Sequence, residues 1–264
     1  RCFTQHEQRH DPGEPNQESL LMVMVTTGRK PKPFSWSYSK LKNFETCPKK
    51  HWSVDLEKKY KEGESEQLKW GDFVHKGLAS VITNRVEHAA GRIADVAPVP
   101  TGLEPMMPWV ERILSGAGTI LVEQQMAITK DFAPTTWFGN DAWYRGIGDV
   151  VKINGDIGFV IDWKTGKILE DSQQLALMAA CLFAHYPALQ AVRSEFVWLK
   201  EGPDCSSRED FLRSDMPNMW RGLWPRIEVL KHAYETTSYP PKPSGICKKY
   251  CPVTDCPYHG VGSR

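Results

Sequence analysis

The dipeptide Asn154-Gly155, set between the apolar runs 147–153 and 157–161, constrains this chain more than any other feature. Both residue types adopt positive φ readily, as a two-residue β-turn demands, so the pair predicts a hairpin. With Asn154 and Gly155 as the loop, Ile153 faces Asp156, and counting outward sets Asp149 opposite Val160. Side chains alternate along a strand, so Asp149, Val160, Asp162 and Lys164 project from one side. Asp149 and Asp162 are then diagonal neighbours, roughly 7–8 Å apart. A bulged turn with Gly155 as an extra residue would shift the register by one and send the two acids to opposite faces.

Acids within the run Phe159-Val160-Ile161-Asp162-Trp163 need a partner, because that strand reads as buried on both faces. A divalent ion held about 2.1 Å from an oxygen of each acid satisfies both. Such an ion activates water and screens a phosphate's charge, and Lys164 can orient the attacking water or stabilise charge growing on phosphorus-bound oxygens. His75 adjoins the apolar stripe of its helix. By periodicity alone it reads as a hydrogen-bonded core or edge histidine, and as a ligand it would favour manganese as well as magnesium. Gln174 could hold Lys164 or a phosphate, although alone it is an ordinary surface glutamine.

Around the hairpin, the period of apolar residues places the other elements. Ser37 or Ser39 caps a short helix through Leu41 and Phe44, up to the Cys47-Pro48 step. A longer helix is expected from Glu64 to Val86, with Val74, Leu78, Val81 and Ile82 on one face, and another from Glu104 to Ser115. Strands follow at 118–129, 142–153 and 157–164. A helix over 172–185 and a strand at 195–199 come next, then helical pattern from Arg208 to Thr236 interrupted at Pro217 and Pro225. The sum is one α/β domain over 29–264 with helices on a central sheet, preceded by a polar tail, 1–28. Within that tail, 20–25 could add an edge strand, and the first methionines, Met22 and Met24, leave the earlier residues readable as upstream sequence.

No run approaches the roughly 18 apolar residues of a membrane span, and residues 1–19 lack a secretory core, so a soluble, cytoplasmic protein is expected. The formal charge of +1 supplies no whole-molecule attraction to nucleic acid. Any such surface must be local, and between Arg29 and Lys61 ten basic residues stand against three acids. Trp36, Trp52, Trp70, Trp137 and Trp143 are candidates for stacking on unpaired bases, though most read as core or rim. Seven cysteines without an export signal argue against a disulfide framework. Three of them, Cys247, Cys251 and Cys256, crowd one end, as metal ligands do; Cys181 lies on an apolar helix face, and Cys2 and Cys205 have no evident role.

These motifs together resemble the RecB-like branch of the PD-(D/E)XK nucleases, which contains CRISPR-associated single-strand exonucleases, AddB-type recombination nucleases and many phage exonucleases. The likeness runs from about Ser37 to Gly260. Its parts are Ser-x-Ser-x-Leu and Cys-Pro at Ser37, Ser39, Leu41, Cys47 and Pro48; Gly-x-x-x-His at Gly71 and His75; Gly-x-x-Asp at Gly146 and Asp149; and Asp-x-Lys at Asp162 and Lys164. The resemblance implies a restriction-endonuclease-like core in which His75, Asp149, Asp162 and the Trp163 carbonyl bind Mg2+ or Mn2+ and Lys164 assists attack. Glu123, on the preceding strand, is a further candidate for the metal or its water. Gln174 is similar to the start of the family's Gln-x-x-x-Tyr element, from which the chain departs with Met178 in place of Tyr.

Several members of this branch carry an iron–sulfur cluster on one early and three late cysteines. By that resemblance Cys47, Cys247, Cys251 and Cys256 would bind a [4Fe-4S] cluster, with zinc as the alternative. The last three are spaced Cys-x3-Cys-x4-Cys where the family has Cys-x2-Cys-x5-Cys, the same total span with the middle ligand moved by one. The implied activity is a metal-dependent deoxyribonuclease, an exonuclease on single-stranded or frayed DNA in replication, recombination or repair, in a phage-like or CRISPR-associated setting. A non-catalytic nucleic-acid-binding module with the same cysteine site is the alternative. Two acids facing a phosphate backbone argue against it, since binding alone has no use for them.

Overall fold

The structure is a computed structural model that describes residues 33–169, 171–202 and 205–261. The polar tail, its short apolar stretch and the basic residues Arg29, Lys30 and Lys32 lie outside the described residues. Among the described residues no helix is long and apolar enough to cross a membrane.

Six strands form one mixed sheet in the order β2-β1-β3-β4-β5-β6. They are β1 Thr119–Ile128, β2 Pro134–Thr135, β3 Tyr144–Asn154, β4 Ile157–Lys164, β5 Ala191–Trp198 and β6 Ser206–Leu212. Only β4 and β5 pair in parallel, and their crossover is a helix, as parallel neighbours require. The longer helices among the described residues are α1 Tyr38–Thr46, α2 Glu66–Ala89, α3 Met107–Leu114, α4 Ser172–His185 and α5 Met216–Thr236. One face of the sheet packs Val151, Val160, Val192 and Phe196 against α1, α4 and α5. The other packs Val150, Ile161, Trp163 and Val197 against α2 and α3. Each such fully buried side chain contributes about 1.5–3 kcal/mol. β4 is therefore covered on both sides, which accounts for its unbroken apolar run.

The expected cap of the first helix is present, with Ser37 accepting from the Lys40 N–H; the long helix begins at Glu66, two residues after the expected Glu64, and is capped by Ser65 through Leu68. Two expectations are corrected. The segment from Arg208 to Leu212 is not helical: it belongs to edge strand β6. Its Asp210 pairs across the ladder with Arg193, which donates to both carboxylate oxygens at 2.6 and 2.7 Å. Pairing with a neighbour overrides a weak local preference here. Nor does Pro225 interrupt the last helix, which runs through it, while Pro217 sits in the first turn where a missing N–H costs little.

The hairpin itself has a different loop from the one expected. Asn154 pairs with Ile157 and Ile153 with Gly158, so the loop residues are Gly155 and Asp156. Gly155 carries φ of +60° at the first central position, where a type II′ turn wants glycine. Asn154 thus remains in the strand. The register moves by two residues, an even number, so Asp149, Val160, Asp162 and Lys164 keep their common face. Continued outward, this register sets Asp149 directly across from Asp162 instead of diagonally.

A β-branched side chain at position 155 would meet no steric neighbour, so its cost isolates the backbone term. Gly155→Val should lose about 1–2 kcal/mol, a fall of several degrees in melting temperature, and Gly155→Asn distinctly less, because Asn tolerates left-handed φ. Equal losses measured by thermal unfolding would mean that the positive φ is not what the turn requires.

Candidate active site

Asp149 and Asp162 are each 8 % exposed, at the end of the β3–β4 pair away from the turn. Paired register between these strands runs out at Val150 and Ile161. Beyond it the Asp149 carboxylate takes the place of a ladder acceptor: its Oδ2 receives the Trp163 backbone N–H at 2.7 Å. The Trp163 side chain is buried under α2 and α3. Tryptophan thus anchors β4 while its amide fixes the catalytic-type acid.

His75 reaches the same oxygen from α2, with Nδ1 3.3 Å from Asp149 Oδ2. The approach depends on Gly71, one helical turn earlier on the same side. A Cβ at that position would stand 3.1 Å from Thr165 Oγ1, just past Lys164. Glycine therefore lets α2 lie close to the end of β4. The Asp149 contact is the main reason His75 is held above its ordinary pKa, against the opposing effect of burial.

Glu123 completes this group. It has φ of +50° inside β1, a left-handed backbone that non-glycine residues adopt at a cost of about 1–3 kcal/mol. Regular pairing is recorded on either side of it, Val122 with Val150 and Gln124 with Gly148. The local inversion redirects its side chain, and ligand atoms of His75, Glu123 and Asp149 all lie within 4.8 Å of one another. Burial, and then the charge of Asp149, raise the Glu123 pKa.

Asp162 has a second set of partners. Its Oδ1 accepts from Gln174 Nε2 at 3.2 Å, and Gln174 Oε1 in turn accepts from Lys164 Nζ at 3.3 Å. The Lys164 ammonium stands 2.6 Å from Asp162 Oδ2, an ion pair outside hydrogen-bond geometry, so this oxygen is buried with no donor properly aimed at it. Lys164 also lies 4.5 Å from the centre of the Phe196 ring. Burial is the chief cause that pushes the Asp162 pKa up to about 6; Lys164 opposes the rise and Asp149 adds to it. Neighbouring acids repel in such a site, and here each has its own side-chain partner, His75 at Asp149 and Lys164 at Asp162.

The residues singled out by sequence fall into two adjoining bonded groups, His75 and Asp149 with the Trp163 amide, where the expectation named the Trp163 carbonyl, and Asp162 with Lys164 and Gln174. An imidazole nitrogen, carboxylate oxygens and an under-satisfied buried oxygen form a donor set that suits a hard divalent cation. Met178 is buried in the core rather than at the site. Of the tryptophans, Trp36 and Trp143 are core, Trp52 stacks on Tyr239, and Trp70 is exposed. The backbone inversion at Glu123 has no signal in the sequence, since nothing marks that residue type for positive φ.

At the far side of the described chain, Cys47, Cys247, Cys251 and Cys256 line one cavity, with Lys49 and Lys50 beside them. Backbone N–H groups of Lys242 and Ser244 donate to the sulfurs of Cys47 and Cys247, each at 3.4 Å. Burial raises the Cys251 thiol pKa, and the nearby Cys247 and Cys47 add to the rise. Amide N–H groups aimed at two of the four sulfurs that line this cavity suit a thiolate there. Cys181, as expected, is core.

A carboxyl group raised from 3.8 to about 6 makes the folded state bind more protons than the unfolded chain between those values. Its contribution is fully present below pH 4 and lost as pH climbs through 6. In EDTA, Asp162→Asn should therefore be more stable than wild type at pH 7, by on the order of 1–3 kcal/mol, with the difference vanishing near pH 4. Thermal unfolding at a series of pH values checks this; a less stable variant at pH 7 would mean that the Lys164 pair outweighs burial.

Comparison with known proteins bears on what this site belongs to. No curated protein matches the chain in sequence. Among solved structures, the crystal structure of SSO0001 is 14 % identical with a TM-score of 0.39, covering 92 % of this chain and 96 % of that one. A protein from Eubacterium rectale, described provisionally as an exonuclease, is 11 % identical with a TM-score of 0.48, covering 96 % and 95 %. Both scores are too low to carry an argument. The sequence profile of the PD-(D/E)XK nuclease superfamily, however, matches residues 35–257, which takes in α1, the whole sheet, His75, both acids, Lys164 and all four clustered cysteines. This chain belongs to the PD-(D/E)XK nuclease superfamily.

Proposed function

We propose that the protein is a Mg2+- or Mn2+-dependent deoxyribonuclease, an exonuclease acting on single-stranded or frayed DNA ends, of the RecB-like type. The observation that carries this reading is the apposition of Asp149 and Asp162 on one sheet face, with His75 brought to the first and Lys164 to the second. His75, Asp149, Asp162 and the Trp163 carbonyl would hold the cation, and Glu123 is placed to join them. Bound there, a divalent cation acts as a Lewis acid that activates water and offsets phosphate charge.

The chain's own groups then divide the remaining work. Asp149 is immobilised by the Trp163 amide, so its free oxygen keeps one direction without loss of entropy when substrate arrives. Gln174 ties Asp162 to Lys164 and holds the ammonium at the edge of the site. From there Lys164 can orient a water molecule and stabilise charge that develops on the phosphoryl oxygens. Replication, recombination or repair is the setting in which such an activity would serve, phage-like or CRISPR-associated.

Asp149→Ala and Asp162→Ala should each reduce cleavage of end-labelled single strands in Mg2+ or Mn2+ to the level seen with EDTA, while the proteins stay folded. Lys164→Ala should lower the single-turnover rate by about 10²–10³-fold and DNA affinity much less, since its charge serves the transition state. Wild-type rates in either aspartate variant would remove these residues from the chemistry.

We further infer that Cys47, Cys247, Cys251 and Cys256 hold a [4Fe-4S] cluster, with zinc the alternative; the shared cavity and the amides aimed at sulfur support it. The Cys47 tie would close a loop of about 200 residues, worth on the order of 5 kcal/mol in the chain-entropy model if the bond persisted on unfolding, and less if it opens. Cys47→Ser should therefore lose its metal and melt many degrees lower. Metal and sulfide analysis of anaerobically purified protein separates iron from zinc, and a variant with full metal content and unchanged melting temperature would show that no clasp exists.

A further inference from the structure

The basic stretch before α2 looks uniform in sequence, but the fold sorts its lysines into two classes. Lys50 pairs with Glu62 at 2.6 Å, Lys59 with Asp255 at 2.6 Å and Lys42 with Asp171 at 3.5 Å. Lys58 and Lys61 are exposed, and among the described residues neither has an ion-pair or hydrogen-bond partner. Both line an open groove of ≈ 470 Å³ between the start of α1 and residues 58–62. Ser37, Ser39, Asn43 and Tyr60 contribute polar groups to the same walls. The groove's two acids are already engaged, Glu62 by Lys50, and Asp55 by His51 and Asn43.

The helix that forms one wall of this groove, α1, is bonded to the helix that carries Gln174, α4. The Tyr38 hydroxyl, at the start of α1, donates to Asp171, which is the N-cap residue of α4. Three residues further on, Gln174 holds Asp162 and Lys164. One wall of the groove and Gln174, the residue that holds Asp162 and Lys164, are thus carried by two helix starts bonded to each other. The protein has almost no net charge to attract a polyanion, so affinity must come from uncompensated local cations.

We propose that this groove holds the sugar-phosphate backbone of a single strand leading to the active site, with Lys58 and Lys61 contacting phosphates. The proposal rests on the nuclease reading for the identity of its ligand. Paired lysines such as Lys50 and Lys59 contribute little to it, because their counterion is a carboxylate of the protein itself and no salt ion is released when a phosphate arrives.

The test is fluorescence anisotropy of a labelled oligothymidylate over a series of KCl concentrations, in EDTA so that no strand is cut. Lys58→Gln/Lys61→Gln should reduce the steepness of log affinity against log salt by about 1.4, at about 0.7 per phosphate contact on a single strand. The control Lys59→Gln/Lys231→Gln removes the same charge from two lysines that already have carboxylate partners. Its slope should match the wild type. An unchanged slope in the first variant, an equal drop in both, or no binding by wild type overturns the groove assignment. Because the readout is binding in chelator, failure of the nuclease reading shows separately, as absence of cutting by wild type in Mg2+ or Mn2+.

Discussion

Two carboxylates forced into one buried corner repel, and the rest of this structure is arranged around that repulsion. Asp149 and Asp162 come together because they lie on facing strands with the same parity, and neither can retreat into solvent. The protein answers with two polar partners for each: His75 and the Trp163 N–H for Asp149, Lys164 and Gln174 for Asp162. Even so, the Asp162 pKa remains raised. Burial is the chief cause of that rise, and buried acids of this kind form a site that would gain by accepting a divalent cation.

Holding that arrangement costs stability elsewhere. Glu123 sits in a left-handed backbone in the middle of a strand. Gly71 gives up a side chain where α2 closes on Thr165. These costs are borne by the two apolar layers, in which Trp163 and Ile161 pack below α2 and α3 while Val160 and Phe196 pack against α4. The acids lie in the buried stretches 148–151 of β3 and 160–163 of β4, and the precision of the site follows from the rigidity of these supports.

The starts of α1 and α4 extend the same logic beyond the acids. Tyr38 and Lys42 converge on Asp171, and Arg226 from α5 ties Glu45 to the bundle through both carboxylate oxygens. Cys47 follows immediately after α1 and meets the three late cysteines across one cavity. A single short helix therefore links the cysteine site, the basic groove and the helix whose first turn carries Gln174.

Much of this was legible from residues alone. Period-2 alternation around a turn-forming dipeptide determined that Asp149, Asp162 and Lys164 share a face, and β4 and α4 have the bounds their patterns imply. The even-numbered register error shows why parity survived while the exact pairing did not: which of Asn154, Gly155 and Asp156 form the loop depends on backbone energies of a fraction of the hairpin's total. Other features were beyond local reading. Arg208–Leu212 becomes a strand because β5 offers it a partner, and the left-handed backbone at Glu123 has no local signal. Which lysines are spent and which are uncompensated depends on acids up to 196 positions away, as with Lys59 and Asp255. The sequence by itself determined the chemistry available and the faces on which it lies, because side-chain type and strand period are local. Tertiary structure alone decided which charges meet, because pairing energies depend on distance in space and the chain's order does not encode that distance.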